Sequence, residues 1–271
     1  MARIALSLFP GGKHKALTLS YDDGVTQDIR LLEIFNRYGL KGTFHLNSGS
    51  LSHGNKVAAD QVAEVYRGHE VSVHSVTHPW LSAVPLETLA WEILEDRQRL
   101  EAQTGYPVRG MSYPYGDYSA EVIARLPHYG IEYARTTRSH GRFTLPENFL
   151  EWHPTCHHAT DLLAKTDEFL AAPVRSAQPL LFYVWGHSYE FDRDLPNNNW
   201  GLIEAFAAKV APEQETIWFA TNIEIYDYLQ AQRRLRFSVD RQVVENQSHL
   251  TLWLSVNGEA RTIAPGERLS F

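Results

Sequence analysis

Two pairs of ionisable side chains in this sequence have the types and spacing of a metal site. Asp22 and Asp23 come directly after the predicted strand of residues 15–21, and His74 and His78 are four residues apart. A fully extended segment would separate the two histidines by roughly 13 Å, too far for one Zn²⁺ ion, so the chain must bend between them. In such a turn both rings lie on one side. One Asp and two His make a three-ligand set with an open position, which is the pattern of a catalytic zinc site.

Groups for acid and base catalysis accompany this pattern. The second Asp of the pair can act as a base beside the metal. His187 follows residues 179–185, the most apolar run of the chain, and can act as a general acid near neutral pH. Pro114 and Gly116 predict a fixed turn in which a backbone N–H could stabilise an oxyanion. Each group alone could be structural, but together they predict metal-assisted hydrolysis of an amide or an ester.

The segments that must position these groups alternate between strand and helix patterns. Predicted strands cover residues 15–21, 42–46, 70–74, 109–113, 130–134, 179–185 and 216–221. Predicted helices cover residues 27–38, 58–66, 86–104, 121–128, 160–171, 202–210 and 223–235. This alternation indicates βαβ units around a parallel sheet, and about seven repeats favour a barrel over an open sheet. Functional groups collect at the C-terminal ends of the strands in such folds, where the candidate residues stand.

The pattern changes at residue 236. Residues 237–239, 250–256 and 261–263 alternate with a period of two, and Asn257-Gly258 is a strong hairpin signal. We therefore predict a barrel over residues 1–235 and a C-terminal β appendage of about three strands over residues 236–271. The appendage is expected to pack on the barrel. The alternative is that it is a sugar-binding module.

Composition limits the partners and the location. The net charge is −7 and no long basic block occurs, so nucleic acid is a poor candidate partner. The single cysteine excludes an internal disulfide framework. The sequence has no apolar window long enough for a spanning helix and no export signal, which predicts no membrane insertion and a cytoplasmic location. The oligomeric state stays open.

The order and spacing of the motifs resemble those of the polysaccharide deacetylases of carbohydrate esterase family 4, the NodB-homology proteins, over residues 15–230. The family motif TFDDG is matched by SYDDG at residues 20–24, and H-S/T-x-x-H by HSVTH at residues 74–78. The motif R-x-P-Y-G is matched in part by SYPYG at residues 112–116, and the histidine motif by VWGH at residues 184–187. The resemblance implies an α/β fold, a distorted (β/α)₇ barrel of the NodB-homology type.

The resemblance also implies a role for each matched residue. Asp22 would be the general base, the Tyr115 backbone N–H would help to hold the oxyanion, and His187 would protonate the leaving amine. The ligands of one divalent metal ion would be Asp23, His74 and His78. Zn²⁺ is the expected ion, and the donor set also suits Co²⁺, Ni²⁺ or Mn²⁺. The expected substrate is an N-acetylated or O-acetylated carbohydrate.

The substrate-contacting residues are expected to be Tyr113, Pro114, Trp185 and His157. The sequence also departs from the family pattern. Ser112 stands where the family has an Arg that pairs with the base, and Arg109 cannot be assumed to replace it. Ser188 follows His187 where the family has Asp.

The family's Asp-Trp motif has no evident counterpart. Trp152 or Trp185 could supply the pocket wall that its Trp forms. Residues 152–158 are expected to form a loop on the pocket rim that contacts substrate, with a structural loop as the alternative.

Two other functions remain compatible with the sequence. The first is a metal-dependent hydrolase of a non-sugar C–N bond, such as that of a cyclic ureide. The second is a carbohydrate-binding protein without catalysis, although the intact Asp pair and the paired histidines argue against it. A substrate profile separates the first alternative from a sugar deacetylase.

Overall fold

The computed structural model describes residues 3–174 and 178–271. The strands are β1 Ile4–Ala5, β2 Lys15–Asp22, β3 Thr43–Leu46, β4 Glu70–Val73, β5 Gly110–Ser112, β6 Tyr133–Arg135, β7 Cys156–His157, β8 Leu180–Gly186, β9 Ile217–Phe219, β10 Arg236–Phe237, β11 Val243–Glu245, β12 Leu252–Val256, β13 Glu259–Ile263 and β14 Arg268–Ser270. The helices are α1 Gln27–Arg37, α2 Val62–Val65, α3 Leu86–Thr104, α4 Ala120–Arg125, α5 Leu162–Ala171, α6 Trp200–Val210 and α7 Asn222–Arg233.

The main sheet is parallel and curls into the predicted distorted barrel. Its strand order is β6-β5-β4-β3-β2-β8-β7, and β9 pairs with the first residues of β2. Strand β2 is buried along its whole length, as expected for a strand covered on both faces. Helix α3 has the predicted limits, and α1 ends one residue earlier than predicted.

Residues 152–158 close the barrel, so the prediction of a rim loop for this segment is wrong. Trp152 forms a parallel bridge with Arg135 at the end of β6. A few residues later β7 pairs with β8. The same short segment therefore reaches both edges of the sheet. Only two of its residues form a regular strand, which is too short to show the period-two pattern.

The core fixes the positions of the strand ends. Tyr21 of β2 packs against Phe35 of α1 and Phe44 of β3, with ring centroids 5.9 and 6.2 Å apart, respectively. All three side chains are fully buried. Burying an aromatic side chain of this kind contributes about 1.5–3 kcal/mol. Because Tyr21 immediately precedes Asp22, this packing holds the end of β2 in place.

The C-terminal appendage has five strands where the sequence predicted about three. The strands form two sheets, β1-β12-β13 and β10-β11-β14, and the first of these takes its strand β1 from the N-terminal segment. The predicted hairpin joins β12 to β13, and Asn257 and Gly258 have φ angles of 55° and 92°. Two left-handed residues in succession are what a two-residue hairpin of type I′ requires. The division at residue 236 stays a prediction.

Helix α7 contacts the appendage. The Tyr228 hydroxyl accepts a hydrogen bond from the Trp253 backbone N–H and donates one to the Leu8 carbonyl. Buried Leu252 and Leu254 pack in the same apolar cluster as Tyr228. Across both described ranges, none of the helices combines the length and apolarity needed to cross a bilayer.

Candidate metal and catalytic site

Five polar side chains meet at the C-terminal end of the barrel. Each belongs to, or directly follows, a different parallel strand, which is where functional groups collect in such folds. These residues are Asp22 of β2, His74 after β4, Ser112 of β5, Arg135 of β6 and His187 after β8. The structure thus gathers side chains that are far apart in the sequence.

The three predicted metal ligands come together. Asp23 Oδ1 lies 3.9 Å from His74 Nε2 and 4.0 Å from His78 Nε2. All three ligand atoms are within 4.8 Å of one another. Bonds of 2.0–2.1 Å in tetrahedral geometry put ligand atoms about 3.3 Å apart, so a small contraction would bring them into ligand positions. The side chains of Asp23 and His78 are partly exposed, which leaves room for a further ligand from solvent.

The backbone bends sharply between the two histidines, as the spacing required. Ser75 and His78 have φ angles of 66° and 58°, and Asp23 has 83°. Non-glycine residues in this left-handed region are strained and persist where the surroundings hold them, commonly at functional sites. Here the Asn47 amide donates to the His74 carbonyl over 2.5 Å, and the His78 N–H donates to Ser75 Oγ over 3.0 Å.

The His74 ring is oriented by its second nitrogen. Nδ1 lies 2.9 Å from the Ser112 carbonyl oxygen and donates to it as N–H, which turns Nε2 toward Asp23 as a free acceptor. A hydrogen bond of this kind fixes the tautomer of a histidine ligand. Burial lowers the pKa of His74 to about 4, although Asp22 and Asp23 act in the opposite direction. The ring is therefore neutral near pH 7, which is the form that binds a metal.

The donor chemistry of this triad fits a divalent metal ion. One carboxylate and two imidazoles suit Zn²⁺ and its neighbours in the first transition series. His74 is neutral, and its hydrogen bond to the Ser112 carbonyl orients its ring. Asp23, His74 and His78 are the residues that would hold the ion.

Asp22 is buried beside the triad and is paired with Arg135. The guanidinium contacts Asp22 Oδ2 directly, and the Ser112 hydroxyl donates to Oδ1 over 3.0 Å. Burial alone would raise the pKa of Asp22, but Arg135 and then His74 more than offset this and hold it well below its usual range. Asp22 is therefore ionised at neutral pH.

Arg135 lies on β6, which pairs with β5, and it stands directly opposite Ser112. The cation that the family pattern places at residue 112 is thus supplied from β6. Arg109 does not take this role, since it pairs with Glu132 and Asp227.

Removing the Arg135 charge is expected to destabilise the protein. Arg135→Met leaves a buried carboxylate without its cation, which costs about 3–5 kcal/mol unless Asp22 takes up a proton. Urea unfolding measures this loss, with Arg37→Met as the control because the Arg37–Glu204 pair is exposed. A change below about 1 kcal/mol in Arg135→Met would show that the pair does not stabilise the fold.

His187 faces Asp22 from across the site. Its Nε2 lies 4.0 Å from Asp22 Oδ2, and its Nδ1 lies 3.7 Å from Glu190 Oε1. Burial alone would lower the pKa of His187, but Glu190 and then Asp22 raise it above its usual value. The ring is therefore available in its protonated form near neutral pH. Glu190 was not predicted from the sequence as the partner of His187, although the spacing of three residues between them was a usable signal.

The turn after β5 contains the Tyr115 backbone N–H that was predicted to hold the oxyanion, and its backbone is strained. Tyr115 has a φ of 57° and its ring packs edge-on against His78, with centroids 4.3 Å apart. The backbone hydrogen bonds that close this turn are donated by Gly116 and Asp117. The Tyr115 N–H is not one of these donors. A Cβ atom at Gly116 would lie 2.1 Å from Thr137 Oγ1, so glycine is required there.

Two of the predicted substrate contacts are wrong. Tyr113 is 1% exposed, its hydroxyl donates to the Leu150 carbonyl, and Pro114 is also buried. Both residues build the turn instead of reaching a ligand. Trp152 is also excluded as a pocket wall, because it is buried between aromatic rings in a separate cluster.

Trp185 and His157 remain beside the site. Their rings meet edge-on with centroids 4.7 Å apart, and the guanidinium of Arg135 lies 4.5 Å from the Trp185 ring. The Trp185 indole N–H donates to Ser139 Oγ over 3.0 Å. A substrate contact by either residue stays a prediction.

Comparisons with known proteins agree with this architecture. Residues 10–134 match the sequence model for polysaccharide deacetylases. A peptidoglycan-N-acetylglucosamine deacetylase from Listeria monocytogenes is 28% identical over 115 residues, which is 42% of this chain and 24% of the relative. The match thus spans about a quarter of that protein's length. Residues 10–134, a little under half of the chain, are thus similar in sequence to the polysaccharide deacetylases.

Solved structures support the fold over most of the chain. A Mycobacterium smegmatis protein classed with the polysaccharide deacetylases aligns with a TM-score of 0.62 at 16% identity, covering 84% of this chain and 94% of that one. The peptidoglycan deacetylase PdaC from Bacillus subtilis aligns with a TM-score of 0.52 at 16% identity, covering 83% and 95%. The predicted barrel fold is therefore confirmed.

Proposed function

We propose that this protein is a metal-dependent hydrolase that removes acetyl groups from N-acetylated or O-acetylated carbohydrates. The observation that carries the proposal is the convergence of three ligand atoms, from Asp23, His74 and His78, within 4.8 Å of one another beside a buried, ionised Asp22. The Listeria relative is named for removing acetyl groups from peptidoglycan N-acetylglucosamine, which makes acetylated cell-wall sugars the first substrates to test.

The reaction begins with a proton transfer to Asp22. Asp23, His74 and His78 would hold a divalent ion, which would supply Lewis-acid polarisation of the acetyl carbonyl. Asp22 accepts a proton as water adds to the carbonyl carbon, while Arg135 and Ser112 keep its carboxylate in place. The Tyr115 backbone N–H stabilises the negative charge that develops on the carbonyl oxygen.

His187 completes the reaction on the opposite side. Its protonated ring gives a proton to the leaving nitrogen as the C–N bond breaks, and the new C–O bond remains in acetate. The products are acetate and a free amine. Glu190 supports this step because its contact with the ring raises the pKa of His187, which favours the protonated form.

Neutralising Glu190 is expected to shift the pH profile of kcat. Activity requires protonated His187, so it is lost as the pH rises through the pKa of His187. Glu190→Gln removes a charge that raises this pKa, so the alkaline limb moves to lower pH. The control is Glu204→Gln on α6, which lies in an exposed ion pair and leaves the limb in place. An unchanged alkaline limb in Glu190→Gln would show that Glu190 does not govern His187.

The activity is tested by acetate release from a panel of acetylated substrates. The panel contains peptidoglycan fragments, chitin oligomers, acetylated monosaccharides and O-acetylated sugars, each with zinc-loaded protein and with chelator. Chelator-sensitive release supports the proposal. No release by protein with stoichiometric metal contradicts it, and a cyclic ureide included in the panel then tests a hydrolase of non-sugar C–N bonds.

A further inference from the structure

Three histidines surround one buried carboxylate at the edge of the site. Glu190 Oε2 lies 3.0 Å from His157 Nε2 and 3.1 Å from His158 Nε2, and Glu190 Oε1 lies 3.7 Å from His187 Nδ1. The ligand atoms of His157, His187 and Glu190 are all within 4.8 Å of one another. The distances from Glu190 to His157 and His187 are shorter than those from Asp23 to His74 and His78. They lie on either side of about 3.3 Å, the distance expected between two ligand atoms of a tetrahedral zinc site.

One carboxylate holds these three histidines together. Its contacts with His157 and His158 are at hydrogen-bond distance, and its contact with His187 is longer. The same nitrogen and oxygen atoms that face one another here are the atoms that can bind a cation. His158 is fully buried, and a Cβ atom at Gly186 would lie 2.1 Å from its Nδ1. The chain therefore keeps glycine at residue 186, where it leaves room for the His158 ring behind Glu190.

We propose that His157, His187 and Glu190 form a second divalent-cation site, separate from the Asp23 triad and inhibitory when filled. Two imidazoles and a carboxylate suit Zn²⁺ and other borderline ions. His158 supports the site from behind by its contact with Glu190. The side chains of His157 and His187 are about one-fifth exposed, so an ion can reach them from solvent.

The inhibitory effect rests on the proposed function. His187 Nδ1 is the nitrogen that faces Glu190. A cation bound there takes the lone pair of that nitrogen, so the ring cannot carry the second proton that makes it an acid. Filling the second site thus removes the proton donor for the leaving amine. The Asp23 triad shares no residue with this site and keeps its own ion.

Zinc binding at equilibrium tests the site without reference to activity. Wild-type protein is expected to bind two Zn²⁺ per chain, with His74→Ala and His157→Gln each binding one. Cobalt absorption of the wild type offers a second measurement that needs no variant, and two successive saturation steps are expected. A single bound ion in the wild type by both measurements overturns the proposal.

Acetate release then tests inhibition. The ratio of activity in excess zinc to activity at one zinc per chain is expected to fall in the wild type. The same ratio is expected to stay near one in His157→Gln, whatever the basal activity of that variant. An equal fall in both proteins overturns the inhibitory role. Two bound ions with no acetate release from any substrate would instead overturn the deacetylase function and leave the second site standing.

Discussion

Asp22→Asn is expected to lower kcat for acetate release by about 10²–10⁴-fold while the metal content stays at the wild-type level. General base catalysis contributes a factor of this size, and an amide cannot accept the proton from the attacking water. The metal stays bound because the three predicted ligands, Asp23, His74 and His78, are unchanged. The measurement is kcat together with zinc content on the same preparation.

The control for this variant is Asp192→Asn on the turn after β8. Asp192 is exposed and accepts hydrogen bonds from Gln27 and Trp200, outside the predicted catalytic groups. Because Asp22→Asn leaves Arg135 buried without its counter-charge, circular dichroism must show that the variant is folded at the assay temperature. Wild-type kcat in a folded Asp22→Asn protein would exclude Asp22 as the base.

His74→Ala is expected to abolish both metal binding at the triad and acetate release. His74 is the buried ligand of the three, and its ring is already aligned by the Ser112 carbonyl. Loss of an outer partner of a metal ligand costs roughly 10–100-fold in affinity, and loss of the ligand itself should cost more. The zinc dissociation constant of the triad and kcat are measured under the same conditions.

His128→Ala is the matched control for the histidine variant. His128 is exposed and lies near Gly130, away from the strand ends that form the site. It is expected to leave zinc affinity and kcat unchanged. Acetate release by His74→Ala in metal-free buffer at the wild-type rate would contradict a metal-dependent reaction.

The sequence predicted the barrel and three candidate metal ligands that the structure brings together. The alternation of strand and helix patterns is a local signal, and α1 and α3 were placed within one residue of their limits. The bend between His74 and His78 was also predictable, because two histidines at this spacing on an extended segment lie too far apart to bind one ion. The left-handed φ angles of Ser75 and His78 are the form that this bend takes.

The remaining partners could not be predicted because they depend on register between distant segments. Arg135 reaches Asp22 only because β6 pairs with β5 so that Arg135 stands opposite Ser112. Glu190 becomes a partner of His157 only when residues 152–158 close the barrel beside β8. Neither pairing leaves a periodic pattern in the sequence. The prediction that Tyr113 contacts substrate failed for a related reason, since a motif does not show which of its side chains is buried in the core.

The most direct test of the account is a zinc titration of metal-free protein, followed by acetate release from an N-acetylated oligosaccharide. Release is predicted to be absent without metal and to rise to its maximum at one zinc per chain. Release that is already maximal in the metal-free protein would contradict the central claim, as would protein that binds one zinc per chain and releases no acetate from any acetylated sugar.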